Sequence, residues 1–85
     1  MELVVVVVRD AASNAFMRPF YMASEGQALR SFQDEVNRAD KDNIMYAHPE
    51  DFELFKLGIF DDNSGRFDLL RDPKSLATAK SVKLA

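Results

Sequence analysis

The run Leu3-Val4-Val5-Val6-Val7-Val8 limits what this chain can fold into more than any other stretch. Consecutive β-branched residues lose side-chain freedom in a helix and fit a pleated strand. As a strand, the run shows Leu3, Val5 and Val7 on one side and Val4, Val6 and Val8 on the other. A sheet with one wet face alternates apolar with polar residues, so both sides of this strand call for cover. The run is too short for a membrane span or a signal-peptide core, and Glu2 stands before it in place of a basic segment. A cytosolic chain is expected.

Eighty-five residues allow one domain with a single modest core. With 47 % apolar and 29 % charged residues, global disorder is not expected. The absence of cysteine excludes a disulfide framework and any thiolate site. Charge is uneven along a chain of net charge −3. From residue 71 onward Arg71, Lys74, Lys80 and Lys83 face only Asp72, so the preceding body is acidic and the end is basic. Such a chain is no general polyanion binder; only its tail or local cations meet phosphate, or the tail is merely a solvated terminus.

Along the chain, Arg9 to Asn14 supplies turn chemistry, and Ala15 to Met22 returns as a second strand. Pro19 donates no ladder hydrogen bond, which places that strand at an edge or puts Pro19 at its rim. Ser24-Glu25-Gly26-Gln27 reads as a capping box. The apolar spacing of Ala28, Leu29, Phe32, Val36 and Ala39 then predicts an amphipathic helix over 25–39. Ile44–Ala47 is apolar without a clear assignment, and Pro49 suits the first position of a turn or a single helical turn. A third strand follows from 52 to 60, with Phe55, Leu57 and Ile59 as its core stripe and Phe52, Leu54, Lys56, Gly58 and Phe60 opposite. Asp61 to Gly65 is a turn, and Phe67 to Leu70 closes a second hairpin.

The expected fold is α+β: a four-stranded antiparallel sheet in ββαββ order with one helix on one face. Residues 1–70 form the domain, and 71–85 form a basic C-terminal tail or a short helix. One helix covers one face, so the second face is expected to pair with a second copy, with Val4, Val6, Val8, Leu54 and Phe60 at the dimer interface. The competing cover is the tail itself, whose Leu76, Ala79, Val82 and Leu84 are apolar.

His48 is the one histidine, beside Glu50, Asp51 and Glu53, but with no second histidine and no cysteine a metal site is not expected. Asp61 to Gly65 superficially resembles a calcium loop, yet the sixth and twelfth positions are Arg66 and Asp72 where glycine and glutamate are needed. No phosphate-binding glycine loop, nucleophile elbow or zincin helix is present, so neither enzymatic activity nor a cofactor is expected. Single-strand binders combine aromatic platforms with basic groups. Phe16, Phe20, Tyr21, Tyr46, Phe52 and Phe60, interleaved with Arg18, Lys56 and Arg66, are candidates for that role, or they are core and interface.

Four blocks carry a family resemblance: Val8-Arg9-Asp10, Ala15 to Phe20, Ala28 to Val36, and above all His48 to Asp62. Together they resemble the small nonstructural protein of gokushoviruses, single-stranded DNA phages of the Microviridae. The resemblance implies a role in viral DNA replication in the host cytoplasm: DNA binding and the switch to single-stranded genome synthesis. It implies no catalytic residues. By charge and position, Arg18, Lys56, Arg66, Arg71, Lys74, Lys80 and Lys83 are the candidate nucleic-acid contacts. The alternatives are an adaptor that recruits a phage or host replication protein without touching DNA, and a capsid-associated part.

Overall fold

In the computed structural model, which describes residues 1–84, the valine run is the centre of the sheet. Strand β1 (Glu2–Asp10) pairs on one side with β4 (Phe52–Asp61) and on the other with two short strands, β2 (Ala15–Phe16) and β3 (Phe20–Met22). All pairings are antiparallel, and β5 (Arg66–Thr78) forms the far edge beyond β4. The expected second strand is therefore split. The Met17 amide still donates to the Val8 carbonyl at 2.8 Å, but Arg18 and Pro19 leave the ladder between β2 and β3, where proline could not have donated.

Helix α1 (Glu25–Val36) starts where the capping residues place it: the Gln27 amide donates to Ser24 Oγ at 3.1 Å. It ends at Val36, so Ala39 lies beyond it. Ile44–Ala47 is a short helix, α2, capped by the Asn43 side chain, and Pro49–Asp51 is one 3₁₀ turn with proline at its start. The last element is α3 (Ala79–Val82).

The core lies between the sheet and the helices. Val4, Val6 and Val8 pack with Phe52 and Leu54 against Ala28, Phe32 and Val36 of α1 and Ala79 of α3. Each fully buried Val or Leu contributes roughly 1.5–3 kcal/mol. Val4, Val6, Val8 and Leu54 therefore offer nothing to a second copy. Leu54 and Val6 are 0 % exposed within one chain. Of the expected dimer contacts only Phe60 lies on the opposite face, across from Leu3 in register.

The face assignment of β4 also changes, because its alternation is interrupted. Val5 pairs with Gly58 and Val6 with Lys56, so Leu57 is an extra residue in a bulge. Before the bulge Phe52, Leu54 and Lys56 face the helices; after it Ile59 does. Phe55, Gly58 and Phe60 share the other face with Leu3, Val5 and Val7.

The stretch expected to be a tail is integral to the domain. Strand β5 runs through Asp72-Pro73 to Thr78, absorbing extra residues between Leu69, paired with Gly58, and Lys74, paired with Lys56. A proline is compatible with an edge strand at such a bulge. Beyond it Leu76, Ala77 and Val82 pack on the core, and Ala79 is buried in it. The final segment thus helps to roof Val4, Val6 and Val8, while the opposite side of the sheet carries no helix. Among the described residues no helix is long and apolar enough to cross a membrane.

A candidate nucleic-acid interface on the helix-free face

The uncovered side of the sheet is aromatic. Phe16 of β2 meets Phe55 of β4 edge-on, with ring centroids 5.5 Å apart. Tyr21 of β3 lies 5.6 Å from Phe60, and Phe60 lies 4.8 Å from Phe67 of β5. Beneath and between them, Val5 stands beside Tyr21 and Val7 beside Phe55 in register. These two valines are 3 % and 1 % exposed, because large cross-strand neighbours shield a small side chain in mid-sheet. Three of the rings stay open, with Phe16 and Tyr21 each 48 % exposed and Phe67 52 %, while Phe55 and Phe60 are half-buried between them.

The turns at each end set the positions of these rings. Asn14, at φ 53°, occupies the left-handed region that asparagine tolerates, and its side-chain oxygen accepts from Arg9 at 2.6 Å. This holds the Arg9 guanidinium 5.9 Å from the Phe16 ring. At the other hairpin, the Gly65 amide donates to Asp61 O at 2.8 Å, and Asp61 Oδ1 accepts from the Asn63 amide at 2.9 Å. The amide of Asn63 and the hydroxyl of Ser64 hold the Asp61 carboxyl below the usual carboxylate range. That turn aligns Phe60 with Phe67. On the face itself Arg9 lies opposite Glu53, whose carboxylate accepts from the Ser75 hydroxyl.

The seven cations expected at the interface fall into two groups. Lys56 and Lys83 are engaged within the chain. The Lys56 ammonium lies 2.8 Å from Glu25 Oε2. Lys83 Nζ lies 3.3 Å from the centre of the Tyr46 ring and donates to the Tyr46 carbonyl at 3.2 Å. Arg18, Arg66, Arg71, Lys74 and Lys80 are exposed. Arg66, Arg71 and Lys74 share the edge strand β5, whereas Arg18 sits at the opposite edge beside β2. Arg71 projects from the β5 bulge, 4.0 Å from the Asp72 carboxylate.

The aromatic candidates divide in a similar way. Phe52 is core, Phe20 packs against it, and Tyr46 lies under Lys83. Phe16, Tyr21 and Phe60 are on the open face, joined by Phe55 and Phe67, which alternation along a single strand does not single out. Hairpin register was the signal for Phe67: it sits as far beyond the Asp62–Gly65 turn as Phe60 sits before it.

His48, Glu50 and Asp51 bring possible ligand atoms within 4.8 Å of one another. His48 Nδ1 is 3.6 Å from Glu50 Oε1. All three come from one short, solvent-facing turn, and Glu53 is turned away toward Ser75.

Fold and face define a small α+β domain whose sheet is helix-covered on one side and aromatic on the other. The chain belongs to the Phage ORF5 protein family, whose model matches residues 3–82. Protein ORF5 of Chlamydia phage 1, a gokushovirus, is 37 % identical over 59 residues, covering 69 % of this chain and 62 % of that relative. The chain thus spans somewhat under two thirds of that relative's length. No solved structure matches it.

Proposed function

We propose that this protein is a non-enzymatic phage protein of the host cytoplasm that binds DNA and supports the switch to single-stranded genome synthesis. The row of exposed rings on the helix-free face carries this reading. Unpaired bases stack on such rings for about 1–3 kcal/mol each, whatever their sequence. A duplex keeps its base faces hidden and gains nothing from them. Arg9 on the face, with Arg18 at one edge and Arg66, Arg71 and Lys74 at the other, would meet phosphates. The body is acidic and these cations are few, so stacking rather than charge supplies most of the affinity.

Fluorescence tests this directly, because the chain has two tyrosines and no tryptophan. In a Tyr46→Phe background, Tyr21 emission is quenched on titration with oligothymidylate at low salt. Tyr21→Ala and Phe67→Ala each weaken oligonucleotide binding by about tenfold, the loss of one stacked base. No binding at low salt would remove the DNA reading and leave the adaptor role. Pairing of two copies through the sheet would use the same rings, so sedimentation of the chain with and without oligonucleotide distinguishes the two uses of the face.

A further inference from the structure

On the helix side, the gap in the ladder at Arg18–Pro19 opens a cleft of about 660 Å³ between the sheet edge and α1. That volume lies within the range of small-ligand sites. Its walls are Val8, Phe16, Met17, Phe20, Phe32 and Met45. Val8 and Phe32 are almost fully buried and form the dry floor, while Met17 at the lip is 47 % exposed. Methionines are unbranched and polarizable, and adapt their shape to an apolar guest.

The polar groups around this cleft are few and unlike one another. Arg18 stands at the lip, exposed and without an ion pair among the described residues. Across from it, on α1, are Ser31 and Glu35. Glu35 is held by Arg38 through two contacts of 2.8 and 2.9 Å, so its charge is already matched. The free charge of the cleft is therefore the Arg18 cation, and its occupant needs a large apolar group and an anion. An alkyl carboxylate would satisfy those two demands and accept from Ser31, but it has no N–H donor for the lone pairs that Arg38 leaves open on Glu35. A peptide end supplies all three: an apolar side chain, a carboxylate and amide N–H groups.

We propose that this cleft takes the C-terminal end of a partner polypeptide, with a large apolar last side chain on the Val8–Phe32 floor and its carboxylate on Arg18. This stands apart from the DNA reading, because it uses the opposite side of the sheet edge. Phe16 and Arg18 belong to both surfaces: Phe16 lines the cleft and ends the aromatic row, and Arg18 stands at the edge between the two.

The test uses the full chain without DNA and three probes: an N-acetylated tetrapeptide ending in phenylalanine, the same peptide amidated at its C-terminus, and decanoate. Backbone and methyl NMR shifts are followed for Met17, Arg18, Phe32 and Met45. The free-acid peptide shifts these signals in a saturable way. The amidated peptide binds about tenfold or more weakly, the loss of one charge-assisted contact. Arg18→Glu abolishes binding and Arg18→Lys retains part of it, while both keep the wild-type dispersion of distant signals. Equal binding of acid and amide would overturn the proposal, as would stronger binding of decanoate than of peptide. Unshifted cleft signals at saturating peptide would overturn it too.

Discussion

The Lys56 ammonium stands 2.8 Å from Glu25 Oε2 and ties the first turn of α1 to the middle of β4. A cation that looks like a phosphate contact in the sequence is thus an internal tether. The hydrogen bond from Lys56, and then its charge, hold the Glu25 carboxyl below the usual range. A carboxylate whose pKa is lowered on folding adds stability above its unfolded pKa. That stability is lost as pH falls through the folded value. Lys56→Met keeps the apolar stem and removes the charge. It should cost up to about 1 kcal/mol at neutral pH, since Glu25 is well solvated. Urea midpoints of wild type and variant should converge as pH falls from the ordinary glutamate range through the lowered Glu25 value. Affinity for oligothymidylate should be unchanged at pH 7.

Gly58 marks a second place where the backbone dictates the residue. A Cβ there would lie 2.3 Å from the Asp68 carbonyl oxygen and 2.7 Å from Leu69 Cα. Both are backbone atoms of β5, so no side chain can swing aside. Gly58→Ala should cost about 1–3 kcal/mol or more through displacement of β5, with faster amide exchange over residues 66–70. Gly65, at φ +72° with nothing within 4 Å of an added Cβ, is the contrast. There Gly65→Asn should be nearly neutral, because asparagine accepts the left-handed conformation.

The valine strand, the Ser24 cap, the first helix and both turns were legible because each rests on local chemistry. Val4 to Val8 had to be a strand, and Ser24 with Gln27 had to start a helix. What escaped was non-local. The Leu57 bulge puts Phe55 on the open face while Ile59 stays with the core, and nothing in Phe-Lys-Leu-Gly-Ile announces an extra residue. Asp72-Pro73 reads as a break, but an edge strand tolerates a bulge and a missing donor, so β5 continues to Thr78. The aromatic face was half visible. Phe16, Tyr21 and Phe60 stood out as rings near cations, yet only the register adds Phe55 and Phe67 and removes Phe52. Expecting a second copy over Val4, Val6 and Val8 failed because α1 and α3 already cover them.

Asn43 is 4 % exposed and fully satisfied. Its amide donates to the Glu35 carbonyl at 2.7 Å and to the Arg38 carbonyl at 3.0 Å, and its oxygen accepts from the Met45 amide at 3.1 Å. One side chain thus closes the end of α1 and opens α2. Asn43→Ala leaves those groups unpaired and should cost about 1–3 kcal/mol in urea unfolding. Asn43→Asp is the sharper test, because a carboxylate faces two carbonyl oxygens with no proton to offer. It should be worse than alanine at pH 7 and should recover as acid protonates it, the opposite pH trend to the Lys56–Glu25 pair.

Lys80 and Lys83 are neighbours in sequence but have different surroundings. Lys80 is exposed on α3. Lys83 lies over the Tyr46 ring and reaches the carbonyl of Val36, the last residue of α1, at 3.5 Å. A cation at a helix C-terminus and over an aromatic face contributes about 0.5–1 kcal/mol by each route. Lys83→Ala should therefore lower the urea midpoint, and combining it with Tyr46→Leu should cost less than the two changes summed. It should leave the salt dependence of oligothymidylate binding unchanged, since this ammonium is already engaged. Lys80→Ala should leave stability within error. If α3 reaches the phosphates, Lys80→Ala reduces the slope of log K against log salt by about 0.7, the value for one contact to a single strand. A flattened slope in Lys83→Ala instead would mean that the Tyr46 contact opens when DNA binds.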